Sequence, residues 1–280
     1  MFHPGVHFSP IDATKGHQGE SPIVKFCVLA SGSSGNVAFL ATNRTRILVD
    51  AGLSFRELQR RLALIGETAD AFDAILVTHE HCDHVGGLLP VARKLKHKTP
   101  IFVSRLTYPM IDWEGTHPPV EKFQAGTDWT IGDIHVESFT IPHDAMDPVG
   151  FRLCAEGVKV AIATDLGYMT ESIKYRLQNC QALLIESNHD IEMLKVGPYP
   201  WSVKQRVMGR NGHLSNHVVC NYLESDFDRA TQTLILGHLS EHNNHPEIVR
   251  IGAAQALEQR GLATQLVVAE QENPTEVFRF

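Results

Sequence analysis

The stretch from His79 to His84 constrains the fold of this chain more than any other. It reads His-Glu-His-Cys-Asp-His and follows, after Thr78, a mainly apolar run at residues 72–77. Side chains alternate between two faces of an extended segment, so His79 and His81 lie on the same side of the chain. Asp83 and the last histidine then face elsewhere, at the start of the next predicted helix. One short loop at the end of a strand is therefore predicted to supply ligands to two metal ions.

A hydrated polar turn between a strand and a helix is the structural alternative for this hexapeptide. Four convergent metal ligands have no packing purpose in such a turn. The remaining two side chains, Glu80 and Cys82, are predicted to face away from the ions. Cys82 points away from His81 and is predicted to be a packing residue. The hexapeptide by itself therefore predicts two metals and a hydrolytic water.

Further ligands are predicted where polar residues end other apolar strands. His143 follows Phe-Thr-Ile-Pro and Asp165 follows Val-Ala-Ile-Ala-Thr, so each is predicted to project onto the same rim. The alternative is that both are ordinary turn residues. The last ligand has three neighbouring candidates, His238, His242 and His245. We favour His238, because it ends its apolar strand as the other ligands end theirs. Asp50, which also ends a strand, suits an outer carboxylate that orients a ligand imidazole.

Thr78 to His84 resembles the Thr-His-x-His-x-Asp-His motif of the metallo-β-lactamase superfamily. Other strings are similar to those of its YycJ/WalJ-type exonuclease branch: 31–36 (SGSSGN), 49–54 (VDAGLS), 164–167 (TDLG), 186–190 (ESNHD), 212–216 (GHLSN) and 238–240 (HLS). The resemblance covers most of the chain. It implies an α/β (α+β) fold, an αββα sandwich of two mixed β-sheets with flanking helices and with the metals at one edge of the sheets.

The resemblance also implies how the ligands are shared between two divalent ions. It places Asp165 between the ions, as a carboxylate that bridges them. The other ligands divide into two sets, His79, His81 and His143 for one ion, and Asp83, His84 and His238 for the other. A histidine-rich set suits zinc, while two carboxylates also leave manganese or iron open.

Two cations about 3.5 to 4 Å apart would hold a bridging water as hydroxide at neutral pH. Asp83 is predicted to orient or deprotonate that water. His213 resembles the histidine that related phosphodiesterases such as tRNase Z place near the leaving group, and Glu186 resembles the carboxylate that supports it. The alternative for His213 is a simple role at a helix cap.

Substrate contacts are predicted from weaker signals. The glycine-rich turn at residues 31–36 could offer backbone N–H groups and hydroxyls to a phosphate, although a tight turn explains its glycines equally well. The match to the family keeps Ser33, Ser34 and Asn36 as candidate substrate-binding residues. Asn188 is a further candidate.

The net charge of −7 argues against a protein that coats DNA generally. Two segments without acids nevertheless carry several cations, residues 91–111 and residues 193–223. Each is either an ordinary solvated helix face or part of a track for a nucleic-acid backbone. The second segment also contains Tyr199 and Trp201, which could stack on a base.

One hydrolase domain is predicted over residues 23–280, after a flexible N-terminal tail at residues 1–22. The tail lacks the apolar core of a signal peptide. No run of 18 apolar residues occurs in the sequence, and its five cysteines show no paired spacing. These features predict a cytoplasmic protein that does not enter a membrane. Apolar spacing predicts helices at residues 54–65, 85–97, 171–177, 203–208, 218–223 and 247–259.

The predicted function is a dinuclear metal-dependent nuclease. The resemblance implies a 5′ to 3′ exonuclease that acts on the ends of double-stranded DNA. An RNA-processing phosphodiesterase and a small-ester, thioester or lactam hydrolase are the enzymatic alternatives, since the same site would serve them. A metal-binding scaffold without activity is the alternative from another class.

Overall fold

The computed structural model describes residues 23–280, and the predicted tail at residues 1–22 lies outside the described residues. The strands of the described part are β1 (Lys25–Ala30), β2 (Val37–Ala41), β3 (Arg46–Val49), β4 (Ala74–Leu76), β5 (Ile101–Ser104), β6 (Val120–Phe123), β7 (Asp128–Ile131), β8 (Ile134–Thr140), β9 (Val149–Ala155), β10 (Val158–Ala163), β11 (Ala182–Glu186), β12 (Thr233–Gly237), β13 (Gln265–Val268) and β14 (Phe278–Arg279). Its helices are α1 (Phe55–Leu64), α2 (Cys82–Val85), α3 (Leu88–Lys94), α4 (Glu171–Leu177), α5 (Ile191–Val196), α6 (Trp201–Val207), α7 (Asn216–Ser225) and α8 (Pro246–Gln259). None of these helices is long and apolar enough to cross a membrane.

The strands form two seven-stranded sheets. The first sheet has the order β14-β1-β2-β3-β4-β5-β6, and the second has the order β13-β12-β11-β10-β9-β8-β7. In the first sheet, β1, β2 and β3 pair antiparallel, whereas β3 to β6 pair parallel. In the second, β7 to β10 pair antiparallel and β10 to β13 pair parallel. Both sheets are therefore mixed.

Three apolar layers hold the sheets and helices together. The middle layer joins the inner faces of the two sheets and contains Phe26 of β1 and Phe151 of β9. A second layer packs the first sheet against Leu58 of α1 and Leu88 of α3. The third packs the second sheet against α4, α7 and α8, including Val219 of α7. Because both faces of each sheet are covered, inner strands such as β2 (VAFLA) and β4 (AIL) are apolar and fully buried. The predicted αββα sandwich is confirmed.

Several predicted site residues emerge at the carboxyl ends of parallel strands. In the second sheet, β10, β11 and β12 are parallel neighbours, so that Asp165, Glu186 and His238 leave the sheet at the same edge. In the first sheet, the parallel neighbours β3 and β4 bring Asp50 and His79 to one edge in the same way. Parallel pairing thus collects polar residues that are far apart in the sequence.

The single helix predicted over residues 85–97 is wrong. Two helices, α2 and α3, take its place and are separated by Gly86 and Gly87. The Gly87 amide donates to the Ala51 carbonyl at 2.8 Å, and a Cβ atom at Gly87 would overlap the Leu53 carbonyl. The loop after β3 therefore packs directly on this break in the helix. Asp83 and the histidine after it lie inside α2 instead of at the start of a longer helix.

Two short strands and one helix were not predicted, namely β6, β14 and α5. The sequence of β6, Val-Glu-Lys-Phe, has two exposed charged residues, and β14 contains two residues. Each strand pairs with the outer edge of a stronger strand, β5 and β1 respectively. Their structure depends on a partner that is distant in the sequence, which explains why local patterns did not reveal them.

Candidate metal centre

The structure brings all seven predicted metal ligands into adjoining clusters. Within each of three groups, one candidate ligand atom per residue lies within 4.8 Å of the others: His79, His81 and His143; Asp83, His84 and His238; and His79, His84 and Asp165. The last group joins the other two, because it shares one histidine with each. This arrangement has the connectivity that the resemblance implied, with the carboxylate in the middle.

Two buried atoms test whether these residues suit a metal. Among the described residues, His79 Nε2 and Asp165 Oδ2 are buried without a hydrogen-bond partner. Asp165 Oδ2 lies 3.2 Å from His84 Nε2, but the two do not align as a hydrogen bond. Buried polar atoms are almost always satisfied, so unpaired atoms that face other ligands need another partner. Imidazole nitrogens and carboxylate oxygens around such a point fit a divalent metal ion.

Backbone strain marks three of the residues at the strand ends. Asp50, Asp165 and His238 have positive φ angles of 63°, 60° and 55°. The left-handed conformation costs a residue with a side chain about 1–2 kcal/mol, and it persists where the surrounding structure enforces it. In each case the chain turns sharply as it leaves its strand.

Asp50 and Thr78 fix the orientation of two ligand imidazoles. Asp50 Oδ2 lies 2.8 Å from His84 Nδ1, which leaves Nε2 of that ring for the cluster. Asp50 Oδ1 accepts from the Thr78 backbone N–H at 2.8 Å, and Thr78 Oγ1 lies 3.0 Å from His79 Nδ1. Partners of this kind set the tautomer and the direction of a metal-binding histidine.

Glu186 positions two further histidines. It is fully buried at the end of β11. Its Oε2 accepts from the Asp165 backbone N–H at 2.7 Å and lies 3.0 Å from His213 Nδ1 and 3.2 Å from His238 Nδ1. Its Oε1 accepts from the Leu214 backbone N–H at 2.6 Å. Burial opposes a charge on His213, but Glu186 raises the pKa of that imidazole above its ordinary value. One carboxylate thus holds a metal-ligand candidate and the predicted general acid together.

Burial and neighbouring charges set the protonation of the clusters. Burial lowers the pKa of His79 well below its ordinary value, and the charge of His84 lowers it further. Burial also opposes a charge on His84, but Asp165 and Asp50 raise its pKa well above the ordinary value. For Asp165, burial favours the neutral acid, yet the charges of His238 and His84 hold its pKa well below the usual range. The bridging candidate is therefore an ionised carboxylate, as a metal ligand must be.

A close backbone approach holds the hexapeptide in place. The Asn36 backbone N–H donates to the Asp83 carbonyl at 2.7 Å, and Gly52 lies against both groups. A Cβ atom at Gly52 would overlap the Asp83 carbonyl and the Asn36 amide. Both neighbours are backbone, so neither can move without shifting the loop that carries the ligand candidates.

Gly52→Ala is therefore expected to destabilise the protein by about 3 kcal/mol and to lower its metal content. Urea unfolding and elemental analysis of the purified protein measure the two effects. Gly66→Ala is the control, because Gly66 has a φ of +75° with nothing within 4 Å of an added Cβ. The control carries the conformational cost of about 1–2 kcal/mol but keeps the metal. Equal metal content in both variants would contradict this account of Gly52.

The candidate substrate contacts occupy different positions. Asn36 is buried, and its Nδ2 lies 3.1 Å from both Asp83 Oδ2 and His84 Nε2, so it contacts the ligand candidates instead of open space. Ser33 lines the cleft above the clusters, whereas the backbone N–H of Ser34 donates to Gln271 at a neighbouring cavity. Asn188 also lines the cleft, and its Nδ2 donates to the His238 carbonyl at 2.9 Å.

Three further predictions concern residues near the ligands. Cys82 is exposed, so its predicted packing role is wrong. The reason is that the chain turns into α2 at this residue, and strand alternation no longer applies. His242 is exposed, with its ring 6.1 Å from that of Tyr199, and His245 caps α8. Among the described residues, neither histidine joins a group of candidate ligands.

The clusters open into a cleft of about 240 Å³. Besides ligand candidates and His213, its lining includes Ser33, Asp144, Asn188, Tyr199, Arg206 and Ser240. The second basic segment thus contributes Tyr199 and Arg206 to the cleft. Two of its lysines are engaged elsewhere, since Lys204 is buried and donates to the Lys195 carbonyl at 2.8 Å and Lys195 pairs with Glu192 at 2.7 Å. No cation of the first basic segment lines the cleft.

Several supporting residues were missed by the sequence-based predictions. Ser31 Oγ accepts from the backbone N–H of His238 at 2.7 Å, and Thr78 contacts Asp50 as described above. Asp144 Oδ1 lies 3.3 Å from His143 Nε2. A signal existed for Thr78, because it belongs to the resembling motif. Ser31 likewise belongs to the recognised string at residues 31–36, and Asp144 directly follows the predicted ligand His143, but nothing in their own spacing indicated a contact.

Comparisons with known proteins identify relatives over most of the chain. A family model described as the beta-lactamase superfamily domain matches residues 45–238. The exodeoxyribonuclease YycJ of Bacillus anthracis is 37% identical over 239 residues, which cover 84% of this chain and 90% of that protein. The exodeoxyribonuclease WalJ of Streptococcus pneumoniae is 36% identical over 243 residues, which cover 85% and 90%.

Solved structures show the same fold. The metallo-beta-lactamase fold protein YhfI from Bacillus subtilis superposes with a TM-score of 0.70 at 15% identity. The match covers 93% of this chain and all of that one. The family match spans the two clusters from Asp50 to His238, and both relatives span most of the chain. The chain therefore belongs to the metallo-β-lactamase superfamily of metal-dependent hydrolases, in its YycJ/WalJ branch.

Proposed function

We propose that this protein is a nuclease with two metal ions that degrades double-stranded DNA from its ends in the 5′ to 3′ direction. The names of the two relatives that are 36–37% identical support the nuclease activity. The pair of Glu186 and His213, placed beside the ligand clusters at the cleft, is the observation that carries the proposal. A phosphodiester needs a proton donor for its leaving alkoxide, and this pair can provide one.

The two ligand sets would hold zinc or manganese, with iron as a third candidate. In the first set are His79, His81 and His143; in the second are Asp83, His84 and His238; and Asp165 would contact both ions. When bound, such ions supply a water of lowered pKa and positive charge beside the phosphoryl oxygens.

Asp83 would orient the attacking water. Its carboxylate lies at the cleft, with Oδ2 3.1 Å from Asn36 Nδ2 and 3.4 Å from His238 Nε2. These contacts fix the carboxylate in one orientation, so that a free lone pair can accept a hydrogen bond from the water. Asn36 thereby acts through Asp83 and does not touch the substrate.

His213 would donate a proton to the leaving oxygen. Its Nδ1 faces Glu186 at 3.0 Å, and its side chain lines the cleft with 19% of its surface exposed. Glu186 therefore holds one ring nitrogen and leaves Nε2 for the substrate. Removing a positioned general acid typically costs about 10²–10⁴-fold in rate.

The activity is tested with purified protein, manganese or zinc, and four substrates. These are duplex DNA labelled at either end, circular duplex DNA, RNA and a thioester. We expect linear duplex DNA to be degraded from the 5′ ends, circular DNA to remain intact, and Asp83→Ala to be inactive. Degradation of RNA without any attack on DNA would refute the proposed activity on DNA and support an RNA-processing phosphodiesterase. Hydrolysis of the thioester alone would instead support a small-ester, thioester or lactam hydrolase. If nucleotides were released first from the 3′ end, the proposed 5′ to 3′ direction of degradation would be wrong.

The role of His213 is tested by the leaving group. His213→Ala is expected to slow DNA hydrolysis by about 10²–10⁴-fold but to slow release of p-nitrophenol from thymidine 5′-p-nitrophenyl phosphate far less. The reason is that p-nitrophenolate leaves without a proton. His217→Ala, an exposed histidine of α7, is the control and should retain the wild-type rate. Equal losses on both substrates would show that His213 does not act as the acid.

A further inference from the structure

The two sides of the metal cleft differ in charge. On one side the cleft shares Asp144 and Arg206 with an open groove of about 580 Å³, whose lining also includes Tyr168 and Arg210. On the other side it shares two serines with a cavity of about 270 Å³, whose lining contains three acids and no cation. Those acids are Glu241, Glu270 and Glu272. A polyanion bound across the clusters is therefore attracted by arginines on the groove side and repelled by glutamates on the cavity side.

Arg206 stands where the cleft meets the groove. Its side chain is 70% exposed, and its Nε lies 3.4 Å from Asp144 Oδ2. Asp144 also contacts His143, as described above, so one side chain separates Arg206 from a metal-ligand candidate. The two Nη groups of Arg206 have no hydrogen bond to any residue between 23 and 280, which leaves the fork of the guanidinium available. A guanidinium fork is suited to two phosphate oxygens.

Arg210 provides a second cation further along the groove. Its guanidinium lies 4.4 Å from the centre of the Tyr168 ring, and it forms no ion pair with the described residues. A cation–π contact orients a guanidinium while its N–H edge remains free for an anion. The aromatic ring thus holds Arg210 at the groove wall without neutralising it.

Close backbone contacts connect the groove to the metal centre. Gly167 packs so closely on the Arg210 carbonyl that a Cβ would overlap it, and its N–H donates to the Pro142 carbonyl at 2.8 Å. Two residues beyond Arg210, the Gly212 carbonyl lies 3.2 Å from His143 Nδ1. A phosphate on the arginines would therefore have a defined position relative to one on the metals.

We propose that this groove binds the sugar–phosphate backbone of the DNA strand that continues from the scissile phosphate. Arg206 takes the adjacent phosphate, and Arg210 on Tyr168 takes the following one. The acids beyond the two serines repel phosphates, so the strand extends towards the arginines and not in the opposite direction. This assignment rests on the proposed nuclease function and names the residues that hold its substrate.

The test compares Arg206→Ala and Arg210→Ala on duplex DNA and on bis(p-nitrophenyl) phosphate, which has one phosphodiester and no neighbouring phosphate. Each variant is expected to raise KM for DNA about tenfold and to reduce the slope of log KM against log salt by about 1. The rise in KM for the small diester should be at least several-fold smaller. Arg206→Lys should recover part of the loss for DNA, since it keeps the charge but not the fork.

Arg44→Ala is the matched control. Arg44 is 71% exposed and lies 3.1 Å from a carboxylate oxygen of Asp133, much as Arg206 lies beside Asp144. It stands in the turn after β2, whereas Asn36, directly before β2, contacts the ligand candidates. Arg44→Ala should keep the wild-type KM and salt slope.

The outcomes separate this inference from the function on which it rests. A wild-type protein that hydrolyses the small diester but no DNA would contradict the proposed nuclease. If the two arginine variants degraded DNA normally, with the same KM and salt slope as Arg44→Ala, the proposed nuclease would stand. That result would overturn the proposal that the groove binds the DNA strand. Equal losses on DNA and on the small diester would also overturn it, because the arginines would then act at the scissile group. Circular dichroism of each variant confirms that it is folded.

Discussion

Asp165→Asn is expected to lower the metal content of the protein, from the proposed two ions to one or none, and to reduce hydrolysis by at least about 10²-fold. Asp165 is 2% exposed, with Oδ2 unpaired and Oδ1 3.5 Å from His238 Nε2. Asparagine keeps the shape of the side chain and tolerates the φ of 60°, but it removes the negative charge and one ligand oxygen. The change therefore acts on metal binding with little direct effect on the backbone.

Elemental analysis and the rate on linear duplex DNA measure these effects. Asp70→Asn, at an exposed position, controls for the loss of one negative charge and should match the wild type. Thermal unfolding in a chelator shows whether the metal-free variant retains its fold. Full metal content in a folded Asp165→Asn protein would refute the position of Asp165 between two ions.

Glu186→Gln is expected to destabilise the protein by about 3–5 kcal/mol and to reduce activity by about 10²-fold. Both oxygens of Glu186 face donors, namely two backbone N–H groups and two imidazole nitrogens. A glutamine side chain has one oxygen, so its amide –NH₂ group must face at least one of these donors. A buried donor without an acceptor costs free energy, and the imidazoles lose the charge that orients them.

Glu137→Gln is a control that separates stability from catalysis. Glu137 pairs with Arg152 at 2.6 Å and Arg176 at 3.0 Å, on a strand of the second sheet, and lies in none of the candidate ligand groups. Its loss should lower the urea midpoint while the rate per folded molecule remains that of the wild type. If Glu186→Gln showed the same pattern, Glu186 would be a structural carboxylate only.

Local sequence patterns predicted much of the metal centre. A polar residue directly after an apolar strand indicated Asp50, His143, Asp165 and His238, and the structure gathers all four near the hexapeptide. The pattern succeeds because buried strands between two covered faces are mostly apolar, so a polar residue that follows such a strand emerges at the sheet edge. The role of each residue as a ligand stays a prediction until metal binding is measured.

Local patterns failed where contacts depend on distant segments. Cys82 was expected to alternate with His81, but the chain turns into α2 there and exposes the thiol. Asn36 was a substrate candidate, yet it is buried against Asp83, 47 residues away. For Cys82, the helix that begins at this residue decides where the side chain points. For Asn36, the contact with the distant loop that carries Asp83 decides it.

The basic segment at residues 193–223 shows the same limit. Its sequence left a solvated face and a backbone track equally open. In the structure, Lys204 is buried beside the Lys195 carbonyl, whereas Arg206 reaches the cleft. Charge counts along a chain do not distinguish these cations, because α6 presents them on different faces.

The sequence by itself determined which residue types end the apolar strands and hence which chemistry this chain can perform. Strand alternation, apolar runs and one dense ligand motif are local properties, and they need no knowledge of the partner segments. The tertiary structure decided which of these residues meet, which imidazole nitrogens face the clusters, and that Arg206 and Arg210 lie on one side of the cleft with acids on the other. These features depend on parallel pairing and close backbone contacts between segments far apart in sequence, which no local pattern specifies.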